Sequence, residues 1–431
     1  MVTAITGGSF GDEGKGKMTD LLASHADIVV RFQGGANAGH TIINDYGKFV
    51  LHLLPSGVFR SNTENLIASG VAFDAEEFFS ELEMLQSRNI PTPKVKLSTR
   101  TQLLLPIHKL QDKLEEQRLG KNSFGSTQSG IAPFYSDKYA KKNIQISELY
   151  SDGLNDKIKR LCEDKNIYFK AFYGVENAMS EKELTEYLVD LGERLKPYLC
   201  DCPYYLNDAL KRGKNILLEG QLGSLRDVDN GIYPYVTSSS PLAGFGSVSA
   251  GIPPYEIKSV VSVVKAYSTC VGAGAFVGEL FGDEADELRK RGGDAGEFGA
   301  KTGRPRRMAW FDCVATRYGC MLQGATEVAV TMFDVLGYLD KIPVCVGYNI
   351  NGRVTDKFPE AYLLAKAEPV YEYLEGWKCD ISDISEYENL PEAAKNYADF
   401  IERQLGVPVT MISNGPKRDQ IMYRKSLLVN K

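Results

Sequence analysis

Short runs of β-branched and aliphatic residues recur along the chain, separated by longer stretches with helical spacing. Many of these runs are apolar throughout instead of alternating, which is typical of strands buried on both faces of a parallel sheet. The predicted strands are 2–6, 27–31, 48–52, 65–68, 215–218, 259–264, 327–331 and 407–412. The predicted amphipathic helices are 75–87, 107–117, 181–211 and 391–404. The pattern predicts an α/β fold with a large, mainly parallel, twisted sheet flanked by helices.

The length of the chain sets its domain organisation. At 431 residues it is long for one simple core, so we expect a single domain over 1–431 with smaller lobes. The segment from about 90 to 211 is richer in helix and charge, and we predict that it forms a helical lobe inserted over one edge of the sheet. In such sheets the functional residues lie in loops beyond the carboxyl ends of the strands.

Composition excludes several classes of partner. The chain has 50 Lys and Arg against 56 Asp and Glu, a formal net charge of −6, and no dense basic run that would neutralise a nucleic-acid backbone. Nothing reaches the roughly 20 apolar residues of a membrane span, and the N-terminus opens directly into a predicted strand. The eight cysteines are scattered, and Cys200 and Cys202 lack a second pair or a nearby His for a zinc site. We expect a soluble cytoplasmic protein without nucleic-acid or membrane partners.

A glycine-rich loop follows the first predicted strand and opens a helix toward Leu22. Its sequence, Gly7-Gly-Ser-Phe-Gly-Asp-Glu-Gly-Lys-Gly-Lys17, brings backbone N–H groups, a helix N-terminus and two lysines toward a phosphate. The fold is therefore P-loop-like, although Gly16 replaces the Ser or Thr that holds magnesium in a Walker A loop. A carboxylate that faces a triphosphate needs a cation or a proton-transfer role to offset repulsion. This makes Asp12 the candidate metal ligand.

A second loop, Gln33-Gly-Gly-Ala-Asn-Ala-Gly-His-Thr41, follows the next predicted strand. Asn37 can hydrogen-bond a phosphate, and His40 can donate to a phosphoryl group in transfer. A lone histidine is more often structural, and that is how we interpret His25, His52 and His108. The two loops together predict a nucleotide site with phosphoryl-transfer chemistry.

The segments 11–17 and 34–40 resemble the paired signatures of adenylosuccinate synthetases. The resemblance continues in order over essentially the whole chain, through 51–57, 233–239, 271–274, 297–304 and 412–416. It implies that GTP phosphorylates O6 of IMP and that the amine of aspartate then displaces the phosphate, giving adenylosuccinate, GDP and phosphate. It also implies Mg²⁺ as the cofactor and a homodimer as the working unit.

The resemblance also implies roles for individual residues. Asp12 would be the general base and a Mg²⁺ ligand, with the Gly39 carbonyl as the second metal ligand. His40 would stabilise the moving phosphoryl group, and Lys15 would neutralise its charge. The implied GTP contacts are Gly11, Asp12, Glu13, Gly14, Lys15, Gly16, Lys17, Gly39, His40, Thr41, Arg306, Met332, Phe333, Asp334, Ser413, Asn414 and Gly415. The implied contacts of the monophosphate and aspartate are Asn37, Ala38, Thr127, Lys142, Leu222, Thr237, Ala300, Lys301, Thr302, Gly303, Arg304 and Arg306.

Several positions depart from the family pattern around these sites. Met332 replaces a lysine beside the guanine-reading Asp334, and the phosphate loop reads Gly-Ser-Thr-Gln-Ser-Gly over 125–130, losing an arginine. Leu222 replaces a glutamine whose amide meets the purine ring, with Gln221 as a possible substitute donor. Lys142 replaces an arginine that reaches into the partner subunit's phosphate site, and so loses the bidentate fork.

These departures leave alternatives open. One is a paralogue that condenses aspartate, or another amino acid, with a different or modified purine monophosphate. Another is a GTP-binding switch that ligates nothing, although it would need a Walker-type Ser or Thr and the guanine-reading lysine. A catalytically silent family member is a third, and the retention of Asp12 and His40 argues against it.

Overall fold

A computed structural model describes residues 1–293, 296–299, 303–426 and 428. Three predicted substrate contacts, Ala300, Lys301 and Thr302, lie outside the described residues.

A ten-stranded sheet forms the centre of the described chain. Numbered along the chain, its strands are β1 (Val2–Gly7), β2 (Ile28–Arg31), β3 (Glu64–Ile67), β4 (Lys94–Ser98), β5 (Leu199–Cys200), β6 (Ile216–Glu219), β7 (Ile257–Lys265), β8 (Glu327–Thr331), β9 (Val409–Ser413) and β10 (Ile421–Tyr423). Their order across the sheet is β10-β9-β8-β7-β1-β6-β2-β3-β4-β5. Neighbours pair in parallel, except that β10 runs antiparallel to β9. The predicted fold class is confirmed.

Helices cover the sheet and fill the crossovers between its parallel strands. They are α1 (Lys15–Leu22), α2 (Ala75–Ser87), α3 (Pro106–Leu119), α4 (Ile131–Tyr139), α5 (Leu154–Tyr173), α6 (Glu181–Leu195), α7 (Cys202–Lys211), α8 (Ala243–Ala250), α9 (Gly282–Arg291), α10 (Cys313–Gln323), α11 (Ala361–Leu364) and α12 (Glu392–Leu405). The prediction of one helix over 181–211 is wrong. A 3₁₀ turn at Lys196–Tyr198 and strand β5 separate α6 from α7, because Pro197 lacks an N–H and its ring cannot continue a helix.

Shorter sheets lie outside the central sheet. They are the hairpin His40–Asn44 with Gly47–Leu51, the pair Ala72–Phe73 with Gln102–Leu103, the sheet of Ser268–Cys270, Arg307–Ala309 and Glu279–Leu280, and the sheet of Phe311–Asp312, Lys341–Ile350, Arg353–Thr355 and Ala367–Glu375. The predicted strand 48–52 therefore exists, but in a hairpin outside the central sheet, and its residues are partly exposed.

The segment 90–211 supplies helices α3 to α7, and it also supplies β4 and β5 at the sheet edge. Its apolar side chains share a core with α2 and β4, in which Phe78, Leu97, Ile158 and Leu188 are fully buried. Its delimitation as a lobe stays a prediction. No helix in the described ranges is long and apolar enough to cross a bilayer.

Parallel strands bring their carboxyl ends to one edge of the sheet. The loops after β1, β2, β6, β8 and β9 begin there, and they carry the glycine-rich loop, the second loop, and the segments that start at Gly220, Met332 and Asn414. The fold thereby collects the predicted site residues from distant parts of the sequence.

Candidate active site

The glycine-rich loop turns sharply between β1 and α1. Gly11, Asp12 and Gly14 all have left-handed backbone angles, with φ of 107°, 60° and 88°. The Glu13 carboxylate points into this turn, where it accepts from the Gly11 N–H at 2.7 Å and pairs with Lys15 Nζ at 2.5 Å. The side chain of Glu13 is only 2 % exposed. The Glu13 side chain therefore shapes the loop from the inside, and the implied contact of Glu13 with GTP stays a prediction.

Two cavities open at the carboxyl edge of the sheet, with volumes of about 660 Å³ and about 170 Å³. They share a wall, to which Asp12, Ala38, Gly39 and Leu222 contribute. The glycine-rich loop and the second loop therefore meet at this wall, and the Asp12 carboxylate faces both cavities.

The smaller cavity gathers most of the predicted GTP contacts. Those that line it are Asp12, Gly14, Lys15, Gly16, Lys17, Gly39, His40, Thr41, Arg306, Met332, Asp334, Ser413 and Gly415. Gly11 lines the larger cavity. The side chains of Phe333 and Asn414 turn to other partners, and the implied contacts of these two residues with GTP stay predictions. Phe333 stacks on Trp377 with ring centroids 5.1 Å apart, and Asn414 Nδ2 donates to two buried backbone carbonyls.

Lys17 and Asp334 both line the smaller cavity. Lys17 Nζ donates to Ser413 Oγ, Gly415 O and Gln420 O at 2.7, 2.7 and 2.8 Å. Burial lowers the pKa of Lys17 to about 8, against the opposing charge of Asp334. Burial also raises the pKa of Asp334, and its Oδ1 has no hydrogen-bond partner among the described residues. An unpartnered buried acceptor of this kind fits a ligand that brings N–H donors.

His40 lies against a buried carboxylate. Its Nδ1 is 2.5 Å from Glu219 Oε1 and 3.1 Å from Arg31 Nη1, and its Nε2 is buried without a partner in the described chain. Burial and the Arg31 charge lower the pKa of His40, while Glu219 opposes them. Burial alone would raise the pKa of Glu219, but contacts with His40, Arg31 and Ser56 hold it at about 2. Glu219 is therefore a carboxylate under all ordinary conditions.

A second charged cluster holds Arg306 at the shared wall. Arg306 Nε lies 3.0 Å from Asp12 Oδ2, and its Nη1 donates to Glu297 Oε2. Glu297 is fully buried and also accepts from Lys265 Nζ at 2.7 Å and from Tyr267 OH at 2.5 Å. Burial would raise the pKa of Glu297, but Lys265 and Arg306 hold it at about 2. The cluster fixes a cation beside Asp12.

The larger cavity gathers predicted contacts of the monophosphate and of aspartate. Those that line it are Asn37, Ala38, Thr127, Leu222, Thr237 and Arg304. Asn37 Oδ1 is buried without a partner in the described ranges. Leu222 has φ 63°, which a non-glycine residue rarely adopts and which often marks a functional site. Gly303 and Lys142 contribute to neither cavity as the described residues form them.

Gln221 cannot act as the substitute purine donor suggested from the sequence. Its side chain is fully buried, its Oε1 accepts from Gly35 N–H at 3.0 Å, and its Nε2 donates to Gly35 O and Ala38 O at 2.9 and 3.0 Å. Gln221 instead fastens the second loop to the segment after β6. The wall shared by the two cavities is therefore apolar at Leu222.

Sequence reasoning missed the buried charges behind the site. Arg31, Glu219, Lys265 and Glu297 were not singled out, although Arg31 and Glu219 end the otherwise apolar strands β2 and β6, and Lys265 ends β7. A charged residue that closes a buried strand is rarely left inside without a partner, and that was the available signal.

Comparison with known proteins agrees with this geometry. The sequence model of the family described as adenylosuccinate synthetase matches residues 4–422. The adenylosuccinate synthetase of Clostridioides difficile is 43% identical over 98% of this chain and 99% of its own length, and that of Carboxydothermus hydrogenoformans is 44% identical over 96% and 97%.

Solved structures give the same result. The fully ligated adenylosuccinate synthetase from Plasmodium falciparum superposes with a TM-score of 0.90 at 33% identity, over 98% of this chain and 100% of that one. The succinoaminodeoxyadenylate synthetase of cyanophage S-2L shares the fold, with a TM-score of 0.61 at 18% identity. The relatives named here that are over 30% identical are all adenylosuccinate synthetases, and they give no support to a different acceptor or a non-catalytic GTP switch. The chain therefore belongs to the adenylosuccinate synthetase family of GTP-dependent ligases.

Proposed function

We propose that the two cavities hold the two halves of the family's reaction, with GTP in the smaller cavity and IMP and aspartate in the larger. The observation that carries this proposal is the position of Asp12, which lines both cavities at their shared wall. Phosphoryl transfer needs donor and acceptor on opposite sides of one reacting centre, and the shared wall offers such a place.

The reaction proceeds in two steps. The Asp12 carboxylate takes the proton from N1 of IMP, so that O6 attacks the γ-phosphorus of GTP and the bond to the β-phosphate oxygen breaks, releasing GDP. The amine of aspartate then attacks C6, the C6–O6 bond breaks, and phosphate leaves with its oxygen. The products are adenylosuccinate, GDP and phosphate.

Lys15 and His40 serve the first step. Phosphoryl transfer spreads negative charge over the equatorial oxygens, and cations and N–H donors aimed there lower the barrier. Lys15 Nζ lies in the loop beside the smaller cavity, and the unpartnered Nε2 of His40 is free to meet a phosphoryl oxygen.

The residues at the shared wall fit Mg²⁺. Hard cations prefer oxygen ligands, and Asp12 offers a carboxylate and Gly39 a backbone carbonyl on the two loops that meet there. Bound there, the ion would neutralise charge on the GTP phosphates. Arg306, now 3.0 Å from Asp12, would then turn part of its fork to the substrates, and Arg304 would bind a carboxylate of aspartate.

Selection of GTP is assigned to Asp334. Its unpartnered Oδ1 can accept from the N1–H and 2-amino groups of guanine, which adenine does not offer. Met332 Sδ lies 3.1 Å from the Tyr267 hydroxyl oxygen, whose proton goes to Glu297. The thioether can cover a ring face without supplying charge.

We further propose a homodimer that works in the cytoplasm. Lys142 is 52% exposed, lines neither cavity formed by the described residues and pairs with the exposed Asp164 at 2.8 Å, so it is accessible to a neighbouring subunit. All eight cysteines are free thiols, which suits a reducing compartment. Dilution to a demonstrably monomeric state should lower specific activity, and unchanged activity there would remove the dimer.

A steady-state assay tests the function itself. The purified protein with IMP, GTP, Mg²⁺ and aspartate should give the ultraviolet change of the succinyl adduct, and omission of any one component should abolish it. Reaction with another purine monophosphate but not with IMP, or GTP binding without turnover, would contradict the proposal.

A further inference from the structure

Two opposite charges lie buried side by side at the carboxyl ends of neighbouring strands. Glu219 closes β6 and Arg31 closes β2, and the two residues are partners in the parallel register. Their side chains are 0% and 1% exposed, with Arg31 Nη1 3.6 Å from Glu219 Oε1. Burying two charges costs several kcal/mol per ion unless hydrogen bonds and a partner offset the loss of water. An apolar pair would stabilise the core equally well, so we expect these two charges to have a functional role.

The Glu219 carboxylate is fixed by three donors besides Arg31. Ser56 donates twice, from Oγ to Oε1 at 2.6 Å and from its backbone N–H to Oε2 at 2.8 Å. His40 Nδ1 approaches Oε1 at 2.5 Å. Arg31 is fixed in turn, since its Nη2 donates to His52 O at 3.0 Å. The carboxylate therefore has one orientation, and the imidazole is one of the groups that set it.

The second ring nitrogen of His40 faces the other way. His40 lines the smaller cavity, and its Nε2 is buried with no partner among the described residues. The Arg31 Nη1 atom, 3.1 Å from Nδ1, can donate only to an unprotonated Nδ1. The shorter contact, 2.5 Å from Nδ1 to Glu219 Oε1, requires a proton on Nδ1. Without that proton the lone pairs of the nitrogen and of the carboxylate oxygen would repel each other.

We propose that Glu219, supported by Arg31, is a positioning residue for the phosphoryl step: it holds the Nδ1–H of His40 and thereby presents Nε2 to the phosphoryl group. A carboxylate behind a histidine does the same in other active sites, where it fixes both tautomer and orientation. The inference rests on the role of His40 in the proposed function.

The first test needs no activity measurement and leaves Glu219 and Arg31 unaltered. The chain has four histidines, so ¹⁵N spectra of histidine-labelled protein are simple, and a His40→Gln variant assigns the signal. The ligand-free protein should show a protonated Nδ1 with a strongly deshielded proton for His40. An unprotonated Nδ1 would overturn the proposal.

The second test separates positioning from stability. Glu219→Gln should lower kcat by roughly 10- to 100-fold, with KM for IMP, GTP and aspartate changed less than about threefold, and should remove the deshielded proton. Glu81→Gln is the matched control, since Glu81 is 4% exposed, accepts from the Leu54 N–H at 2.7 Å and has no contact with His40. An equal fall in kcat in both variants would make Glu219 merely structural.

The Ser56→Ala variant keeps the proposal testable if Glu219→Gln does not fold. It removes the 2.6 Å hydrogen bond to Oε1 while keeping the charge, and should lower kcat by a few fold with the His40 signal retained. If Glu219 does not position His40, synthesis by the unmodified enzyme is still intact. If the proposed function is wrong, the His40 signal is still unchanged. The two outcomes are therefore distinguishable.

Discussion

The Arg306 guanidinium lies 3.0 Å from the Asp12 carboxylate, Nε to Oδ2. Asp12 comes from the loop after β1, and Arg306 precedes the strand Arg307–Ala309, so the contact joins two distant parts of the chain at the wall between the cavities. Glu297 holds the other end of the guanidinium. The residue that we propose as base and metal ligand therefore lies beside a cation supplied by the protein.

Replacing Arg306 should damage catalysis more than folding. In Arg306→Leu, Glu297 keeps Lys265 and Tyr267 as partners, so its buried carboxylate is not left unpaired. Losing a buried, hydrogen-bonded charge at the site costs about 2–5 kcal/mol, so kcat/KM for aspartate should fall by roughly two to three orders of magnitude. Steady-state kinetics checks this.

Arg317→Leu is the matched control for Arg306. Arg317 donates to the backbone and side chain of Gln404 and lines neither cavity formed by the described residues. It should leave kcat/KM within about threefold. Similar losses in both variants would show that the effect is not specific to the site.

Leu222→Gln should tighten binding of the purine monophosphate. Leu222 forms part of the shared wall, where Gln221 is already committed to Gly35 and Ala38. A new amide that meets a ring polar atom is worth about 1 kcal/mol, so KM for IMP should fall by roughly fivefold with kcat little changed. A raised KM with unchanged thermal stability would mean that the purine does not lie against this wall.

His52 should make stability depend on pH on the alkaline side. A hydrogen bond with Glu77, whose carboxylate lies 3.1 Å from Nδ1, and the nearby Glu81 carboxylate at 3.6 Å raise the pKa of His52 to about 9. A raised folded-state pKa stabilises the fold fully below the unfolded value near 6.5, and this stability is lost as the pH rises through about 9. The difference in melting temperature between the native chain and His52→Gln should be largest near pH 6 and vanish near pH 10. A difference that does not change with pH would contradict the assignment.

The fold was largely predictable from the sequence because buried parallel strands leave continuous apolar runs, as in β2, β6 and β7. The meeting of the two loops was also predictable, since parallel strands end at one edge of the sheet. The resemblance named most of the residues that line the smaller cavity and a minority of those that line the larger one. It did not say which side chains turn inward.

The remaining features depend on information that no short segment carries. The pairing of Glu219 with Arg31 requires β6 and β2 to be neighbours, although the helical segment 90–211 lies between them in the chain. Glu13 and Phe333 alternate with true cavity residues, and their direction is set by Lys15 and Trp377. The double anchoring of Gln221 by the loop 34–38 likewise appears only once the chain is folded.

The most direct measurement is the rate of adenylosuccinate synthesis by Asp12→Asn. The amide keeps the size of the side chain but cannot take the N1 proton and is a poor ligand for a hard cation. We predict a fall in kcat of at least about 10³-fold, with GTP still bound and the melting temperature within a few degrees. Synthesis at the native rate by this variant would contradict the account.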